Sequence, residues 1–518
     1  MTAIAGTAVP EHDRQAARET ISVTSPATGE PLGQVQVFSR DEVREAVERS
    51  REAQRSWAAL SYRQRGNVLK RVRDAILDAR DELVAVVAGE TGKPPAEVWA
   101  VEMFYVCDAI GYWSRTAARH LADRQESTHL LKTKKAYSTY KPRGVIGLIT
   151  PWNYPLELTI GEAIPALMAG NGVVIKPSEV TPLSATTAAR IAEDAGLPAG
   201  LLGVVTGYGA SGADLIDFVD MVAFTGSVET GRKIATKCAG QLKPCSVELG
   251  GKDPMIVCRD ADLVRAANAA VWGSVTNAGQ VCLSVERIYV DEKVYEPFLA
   301  NVLATVDKLR QGPPSDNADL GSMTFPPQLE KVEDHVRDAV AKGARVLAGG
   351  RRTPGRNAGY WYEPTVVVDV HHDMKLMRDE TFGPVIAIQK VKNEAEALAL
   401  ANDSRYGLSA SVWSKDKAGA MNIARRIEAG AVCVNDHMIH MMIPEVPMGG
   451  VKESGLGRRH GREGITRFCD QQTIVVDRFG GAKELFWYPS SPKLEGLLRR
   501  VIVVLFRSGW RNKLAGLR

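Results

Sequence analysis

Cysteine is scarce in this chain. Its 518 residues hold seven, at 107, 238, 245, 258, 282, 433 and 469. An odd count without Cys-x-x-Cys or Cys/His spacing excludes a disulfide scaffold and a zinc module, and it fits a reducing compartment. Excess charge is missing too: 65 Lys and Arg against 61 Asp and Glu leave +4, too little for the positive field that nucleic-acid binding calls for. The longest late apolar run, Val501 to Phe506, is far short of the ~20 residues that cross a bilayer. The start, with Glu11, His12 and Asp13, lacks the basic residues and apolar core of a signal peptide. No spanning helix and no export are expected, and the expected location is cytoplasmic. Repeats and low-complexity segments are also absent. With 45% hydrophobic and 24% charged residues the composition is that of an ordinary globular chain, and the length calls for two or three lobes at roughly 150 residues each.

What is present is an alternation. Residues 1–20 read as a loose arm, followed by turn signals at Thr24-Ser25-Pro26 and Ala27-Thr28-Gly29-Glu30. Helical periodicity then runs from Arg40 to Gly92, with Asp41 as a candidate cap, and a further helix is expected after Pro94-Pro95. Short apolar strands, near 145–149, 172–175, 202–205 and 221–224, alternate with helices. This is the mark of a parallel sheet covered on both faces, a doubly wound nucleotide-binding lobe. No Gly-x-Gly-x-x-Gly opens that lobe, so the usual dinucleotide fingerprint is missing. A second series, with strands near 255–257, 287–290, 385–390 and 409–413, predicts a second lobe. The fold class expected is therefore α/β: two doubly wound lobes plus a small β element, whose strands 136–141 and 472–476 read as edges needing partners.

Four segments carry candidate chemistry at strand ends, where loops meet a cleft. Asn277-Ala278-Gly279-Gln280-Val281-Cys282 places a thiol after a Gly-bearing turn. Ser246-Val247-Glu248-Leu249-Gly250-Gly251-Lys252 sets a carboxylate among apolar neighbours, where partial desolvation favours a usable base. Pro151-Trp152-Asn153-Tyr154-Pro155 fixes an amide suited to a developing oxyanion. Lys176-Pro177-Ser178-Glu179 ends a strand with a cation and an anion three apart, fit to grip ribose hydroxyls. Each alone is more often a buried thiol, an exposed glutamate, a capping Asn or a surface ion pair.

Together and in order, the four resemble the aldehyde dehydrogenase superfamily over roughly residues 22–480. Val222 to Ser227, Glu380-Thr381-Phe382-Gly383-Pro384, Tyr406 to Ser411 and Pro447 to Gly455 add to the match. The resemblance implies Cys282 as nucleophile, Asn153 as oxyanion donor and Glu248 as general base for thioester hydrolysis. It also implies a cofactor site of Ile149, Trp152, Lys176, Ser178, Glu179, Gly209, Gly212, Phe224, Gly226, Ser227, Thr230, Leu249, Glu380 and Phe382. A carboxylate at 179 would repel a 2′-phosphate, which favours NAD over NADP. The domains implied are an NAD-binding domain (21–123 and 142–250), a catalytic domain (251–449), oligomerisation strands (124–141 and 468–480) and a tail (481–518). A homodimer or homotetramer is expected.

Two departures matter. Many relatives carry an acidic residue after Ser-Gly-x-Gly-Arg, a possible second proton acceptor, whereas here Arg459 follows Arg458. The helix after the Pro-Trp-Asn turn reads Leu158-Thr159-Ile160-Gly161-Glu162, without the arginine that succinate-semialdehyde enzymes use for the distal carboxylate. The loop 437–444, His-Met-Ile-His-Met-Met-Ile-Pro, points instead to an apolar aliphatic or aromatic aldehyde. A metal at His437 and His440 lacks a third ligand. Succinate semialdehyde as substrate is one alternative, and acyl transfer to coenzyme A, which Glu248 argues against, is another. Leu494, Leu497, Leu498, Val501 and Leu505 share a helical face among arginines, with Phe486, Trp487 and Trp510 beside it. Such a tail suits either an anionic membrane surface or docking on a subunit.

Overall fold

The computed structural model describes residues 18–484, 487–489 and 491–509. Residues 1–17 of the expected arm, and Phe486, Trp510 and Arg511 of the tail, lie outside the described residues. The chain divides into two compact units: one reaches Ala122 and resumes over Tyr140–Gln471, the other joins Asp123–Thr139 to Gln472–Arg518.

In the larger unit a hairpin of Thr20–Thr24 and Pro31–Gln36 flanks the foreseen turn, pairing Ile21 with Val35. The fold thus begins before that turn. Helices follow at Arg40–Ala59, Tyr62–Asp78 and Arg80–Thr91. The first is capped by Ser39, whose side chain accepts from Glu42 N while the Glu42 carboxylate accepts from Ser39 N at 2.9 Å. A reciprocal box of this kind satisfies two orphan donors. Asp41 is therefore not the cap: it lies in the first turn and pairs with Arg44 at 3.0 Å.

A six-stranded sheet runs in the order Gly455–Leu456, Cys245–Glu248, Met221–Thr225, Val145–Ile149, Gly172–Lys176 and Leu202–Val204. Every residue of 145–149 and 172–176 is buried, as strands covered on both faces must be. The parallel register sets Ile149 between Lys176 and Phe224, and Thr225 beside Glu248. The carboxyl ends therefore present a row of expected site residues at one level. The outermost pair was not foreseen. Residues 455–456 return antiparallel to the Glu248 strand, Gly455 opposite Glu248. At φ +146, Gly455 packs so tightly that a Cβ would strike the Val247 carbonyl.

The second sheet has seven strands: Arg345–Ala348, Thr365–Val368, Val385–Val391, Val285–Asp291, Asp253–Val257, Ser409–Trp413 and Ala431–Val434. All its pairs are parallel except the first. Two doubly wound α/β lobes are thus present. Cys282 and Phe382 lie just before the amino ends of strands in this sheet, not after carboxyl ends.

The smaller unit holds a three-stranded sheet with Arg124–Glu126, Lys134–Pro142 and Cys469–Asp477. Ile474, Val475 and Val476 stand exposed on its last strand. The helix Pro492–Phe506 is capped by Ser491 and has no buried residue. Among the described residues no helix is long and apolar enough to cross a membrane.

Candidate active site

Cys282, the expected nucleophile, follows a strained turn. Helix Leu263–Val275 gives way to Thr276–Gly279, where Asn277 (φ 50°), Ala278 (φ 54°) and Gly279 (φ 71°) are successively left-handed. Side chains other than glycine pay for that conformation. At Gly279 a Cβ would run into the Gly383 carbonyl, so the turn is pressed against the loop that carries Phe382. Buried bonds hold it: Glu97 accepts from Thr276 Oγ1 at 2.6 Å and from Asn277 N at 2.9 Å. Gln280 donates to the Asn277 carbonyl at 2.9 Å and accepts from Thr324 N at 2.9 Å. Cys282 then packs against an apolar cluster that includes Tyr154, Leu158, Val281, Leu283, Met438 and Met448.

Asn153, 2% exposed, donates from Nδ2 to the Gln280 carbonyl at 2.9 Å, which orients the amide and leaves its second N–H to give. Its own carbonyl accepts from Lys93 Nζ at 2.7 Å and Asn277 Nδ2 at 3.0 Å. Lys93 also pairs with Glu102 at 2.7 Å, both side chains fully buried, and Glu102 accepts from Leu156 N at 2.8 Å. The sequence reading missed this pair. Its signal was there, a glutamate inside the apolar run Val98 to Met103.

Glu248 joins the two halves of the site. Its Oε1 lies 3.7 Å from Cys282 Sγ and its Oε2 accepts from Arg459 at 2.6 Å. Arg459 is buried and also reaches Glu162 at 2.8 Å and Glu157 at 3.1 Å; Arg467 bonds Glu162 at 2.5 Å. Burial pushes the Cys282 thiol well above its usual range, Glu248 adds to that, and Arg459 opposes it. Burial works to raise Glu162 as well, but Arg459 and Arg467 outweigh it and hold that carboxyl at about 2. Glu157 has only Arg459, and burial pushes it up to about 7. The residue singled out in the sequence as a departure is thus the partner of the candidate base.

A profile of the aldehyde dehydrogenase family matches residues 13–474. The chain belongs to the aldehyde dehydrogenase family. It is 40% identical, over 89% of its length and 90% of the relative's, to a Mycolicibacterium smegmatis protein named "Putative succinate-semialdehyde dehydrogenase (NADP+)". A 4,4'-diapolycopene aldehyde oxidase of Methylomonas is 38% identical over 91% of this chain and 88% of that one. Among solved structures, a Mycobacterium tuberculosis aldehyde dehydrogenase complexed with NAD+ superposes with a TM-score of 0.86 at 34% identity, covering 90% of this chain and 96% of that one. A nicotinamide cofactor and oxidation of an aldehyde to the acid follow from membership of this dehydrogenase family.

The residues expected to hold the cofactor are brought into one region. Lys176 pairs with Glu179 at 3.1 Å, and Ser178 Oγ accepts from Val180 N at 3.2 Å. Ser227, after Gly226, caps helix Val228–Gly240 by accepting from Thr230 N, which leaves a helix N-terminus suited to a pyrophosphate. Leu249 packs on Gly231 of the same helix, and Gly212 borders Ile149 and Lys176. Trp152 and Phe382 meet edge to face at 5.4 Å. Glu380, pushed up to about 7 chiefly by burial, accepts from Gly251 N at 3.1 Å. A half-buried carboxylate with one backbone donor, a Lys–Glu pair and a helix N-terminus capped only at Thr230 N form a set of hydrogen-bonding groups that fits a dinucleotide. The missing glycine spacing does occur, away from the lobe's opening: Gly207-Tyr208-Gly209-Ala210-Ser211-Gly212 follows the edge strand 202–204 and opens helix Gly209–Phe218. His437 bonds the Leu283 carbonyl at 3.0 Å and His440 lies 3.5 Å from the Cys433 sulfur. Among the described residues no group of three His, Cys, Asp or Glu side chains is placed to hold a metal ion.

Proposed function

We propose that this enzyme oxidises an apolar aliphatic or aromatic aldehyde to the carboxylic acid with NAD, through a thiohemiacetal and a thioester on Cys282. The observation that supports the substrate reading is the apolar cluster beside Cys282: Tyr154, Leu158, Met438 and Met448 form it, and Val101, Met441 and Cys282 itself pack against it. The nearby buried cations are already spent, Lys93 on Glu102 and Arg459 on three glutamates. A substrate carboxylate would enter unpaired, at a cost of several kcal/mol.

In this reading the Cys282 thiol passes its proton to Glu248 and the sulfur attacks the aldehyde carbon. Asn153 Nδ2 and the Cys282 backbone N–H receive the oxyanion. Lys176, Glu179, Ser227, Glu380 and Phe382 would hold and orient the dinucleotide, whose nicotinamide would supply the hydride acceptor. Glu248 then releases the thiol proton to solvent and takes a proton from the water that attacks the thioester; the carbon–sulfur bond breaks with its electron pair on Cys282, and the acid departs. The M. smegmatis relative's name favours succinate semialdehyde and NADP. The apolar cluster and the Glu179 carboxylate support the opposite choice on both counts.

The test is the rate of reduced-nicotinamide formation from hexanal, benzaldehyde and succinate semialdehyde, with NAD and NADP in parallel and Cys282→Ala as control. The expected result is kcat/KM for hexanal or benzaldehyde at least ~10-fold above succinate semialdehyde, with NAD preferred and the variant dead. Succinate semialdehyde leading the panel overturns the apolar assignment.

We further propose that the exposed strand Cys469–Asp477 pairs in a homodimer or homotetramer, that the enzyme works in the cytoplasm, and that helix Pro492–Phe506 rests on an anionic membrane surface. Leu497, Val501, Ile502, Leu505 and Phe506 are exposed on that helix, with Lys493, Arg499, Arg500 and Arg507 among them and after its end. Removing residues 489–518 is expected to abolish flotation with anionic liposomes. Flotation equal to that of the full chain sinks the membrane role.

A further inference from the structure

Three buried carboxylates converge on one guanidinium. Arg459 reaches Glu248 at 2.6 Å, Glu162 at 2.8 Å and Glu157 at 3.1 Å. Glu162 alone among them has a second cation, Arg467 at 2.5 Å, so it stays ionised whatever the other two do. Glu157 and Glu248 are left to compete for what remains of one positive charge. Two carboxylates so placed in a dry interior hold a proton between them more cheaply than they repel. A small enclosed cavity backs the cluster, lined by Thr150, Glu162, Thr225, Ser246, Glu248 and Arg459. Thr150 Oγ1 in its wall is buried without a hydrogen-bond partner.

We propose that Glu157 is a second acid–base group of this active site: Glu157 and Glu248 draw on the same guanidinium, and Glu157 takes up the proton that Glu248 receives when the thioester is hydrolysed. The inference rests on the reading that Cys282 carries a thioester, but the arrangement of charges does not. With the proton on Glu157, Arg459 is left to Glu248 and Glu162. When Glu157 ionises, it takes its part of Arg459 and is free to receive the proton that hydrolysis delivers to the cluster. In the hydrolytic step the water oxygen bonds to the acyl carbon and the water proton passes to Glu248. The carbon–sulfur bond breaks with its electron pair on sulfur, and the proton on Glu248 equilibrates with Glu157 before reaching solvent.

The groups that face Glu157 are Arg459 from the late loop, Glu102 from the segment Val98–Met103, Glu162 from the following helix and Glu248 from the sheet; Tyr105, Tyr154 and Cys282 are close enough to feel its charge. Burial and the three carboxylates outweigh Arg459 and place Glu157 at about 7, so its proton comes off near neutrality.

The experiment follows the first-turnover burst of reduced nicotinamide, which reports acylation, and the steady rate after it, which reports hydrolysis, across neutral pH. In the unaltered enzyme the steady rate is expected to rise roughly three- to tenfold through a midpoint near neutrality. In Glu157→Gln, with a melting curve to show that it folds, that rise is expected to vanish while a burst still forms. The same rise and midpoint in Glu157→Gln overturn the proposal, because a merely structural glutamate would leave the midpoint in place. A second arm needs no substrate and no Glu157 variant. Infrared spectra of the cofactor-free protein across neutrality are expected to contain a protonated-carboxyl component whose midpoint moves in Arg459→Lys. Other buried carboxyls away from Arg459 stay where they were, and no moving component overturns the proposal. If no aldehyde is turned over, the function reading fails while the infrared arm still decides this one.

Discussion

The Cys282 thiol is harder to ionise than a free cysteine because it is half-buried and desolvated beside a glutamate, with Arg459 only partly compensating. Alkylation by iodoacetamide, which needs the thiolate, is therefore expected to be slow at neutral pH in the cofactor-free enzyme and to keep accelerating beyond the ordinary thiol value of 9.0. Mass spectrometry of the Cys282 peptide over a pH series checks this, and a plateau at neutrality contradicts it. Asn153→Ala is expected to lower kcat by ~10²- to 10³-fold with a smaller change in KM, measured by steady-state kinetics, because it removes one donor to the developing oxyanion. Cys282, Glu248 and Asn153 could be singled out as candidates from sequence because each lies in a short local motif of small and apolar residues, and the fold brings them together. Arg459 was not. Its partners lie about 200 to 300 positions upstream, and nothing near 459 tells a buried guanidinium from a surface one.

At the scale of elements, the turn Thr276–Gly279 holds its left-handed residues against their own preference. Ala278→Gly is expected to stabilise the protein by about 0.5–1 kcal/mol, seen as a higher Tm, while lowering kcat because the thiol is less firmly placed. Lys93→Met leaves Glu102 buried without its cation and is expected to cost about 3–5 kcal/mol in a denaturant titration; Asn153 then loses one of the two donors to its carbonyl. The central strands were legible because Val145–Ile149 and Gly172–Lys176 are continuous apolar runs between turn signals. The two residues 455–456 were not, because a strand that short has no periodicity and its Gly455 reads as a turn. Asp41 and Ser39 both suit a cap, and only the reciprocal bond from Glu42 decides between them.

For the whole molecule, the buried glutamates tie stability to pH with opposite signs. Glu90, Glu157 and Glu380 are each raised mainly by burial from 4.5 to about 7. A raised carboxyl favours the folded state while protonated, so its stabilisation is complete below 4.5 and is lost as pH rises through 7. Glu162, held at about 2, acts the other way: its stabilisation is present above the ordinary carboxyl value and is lost as pH falls through 2. The Tm of the cofactor-free protein is expected to decline from mildly acidic to neutral pH, and Glu90→Gln to flatten part of that decline. An unchanged slope in Glu90→Gln contradicts this.

The antiparallel return at Gly455–Leu456 also orders events in time. The thiol, the amide and the base strand are all made before residue 283, yet the pairing that closes the sheet beside Glu248 and the guanidinium that grips Glu248 both arrive with residues 455–459. During synthesis Glu248 therefore emerges without the neighbouring strand and without the cation that hold it in the finished fold.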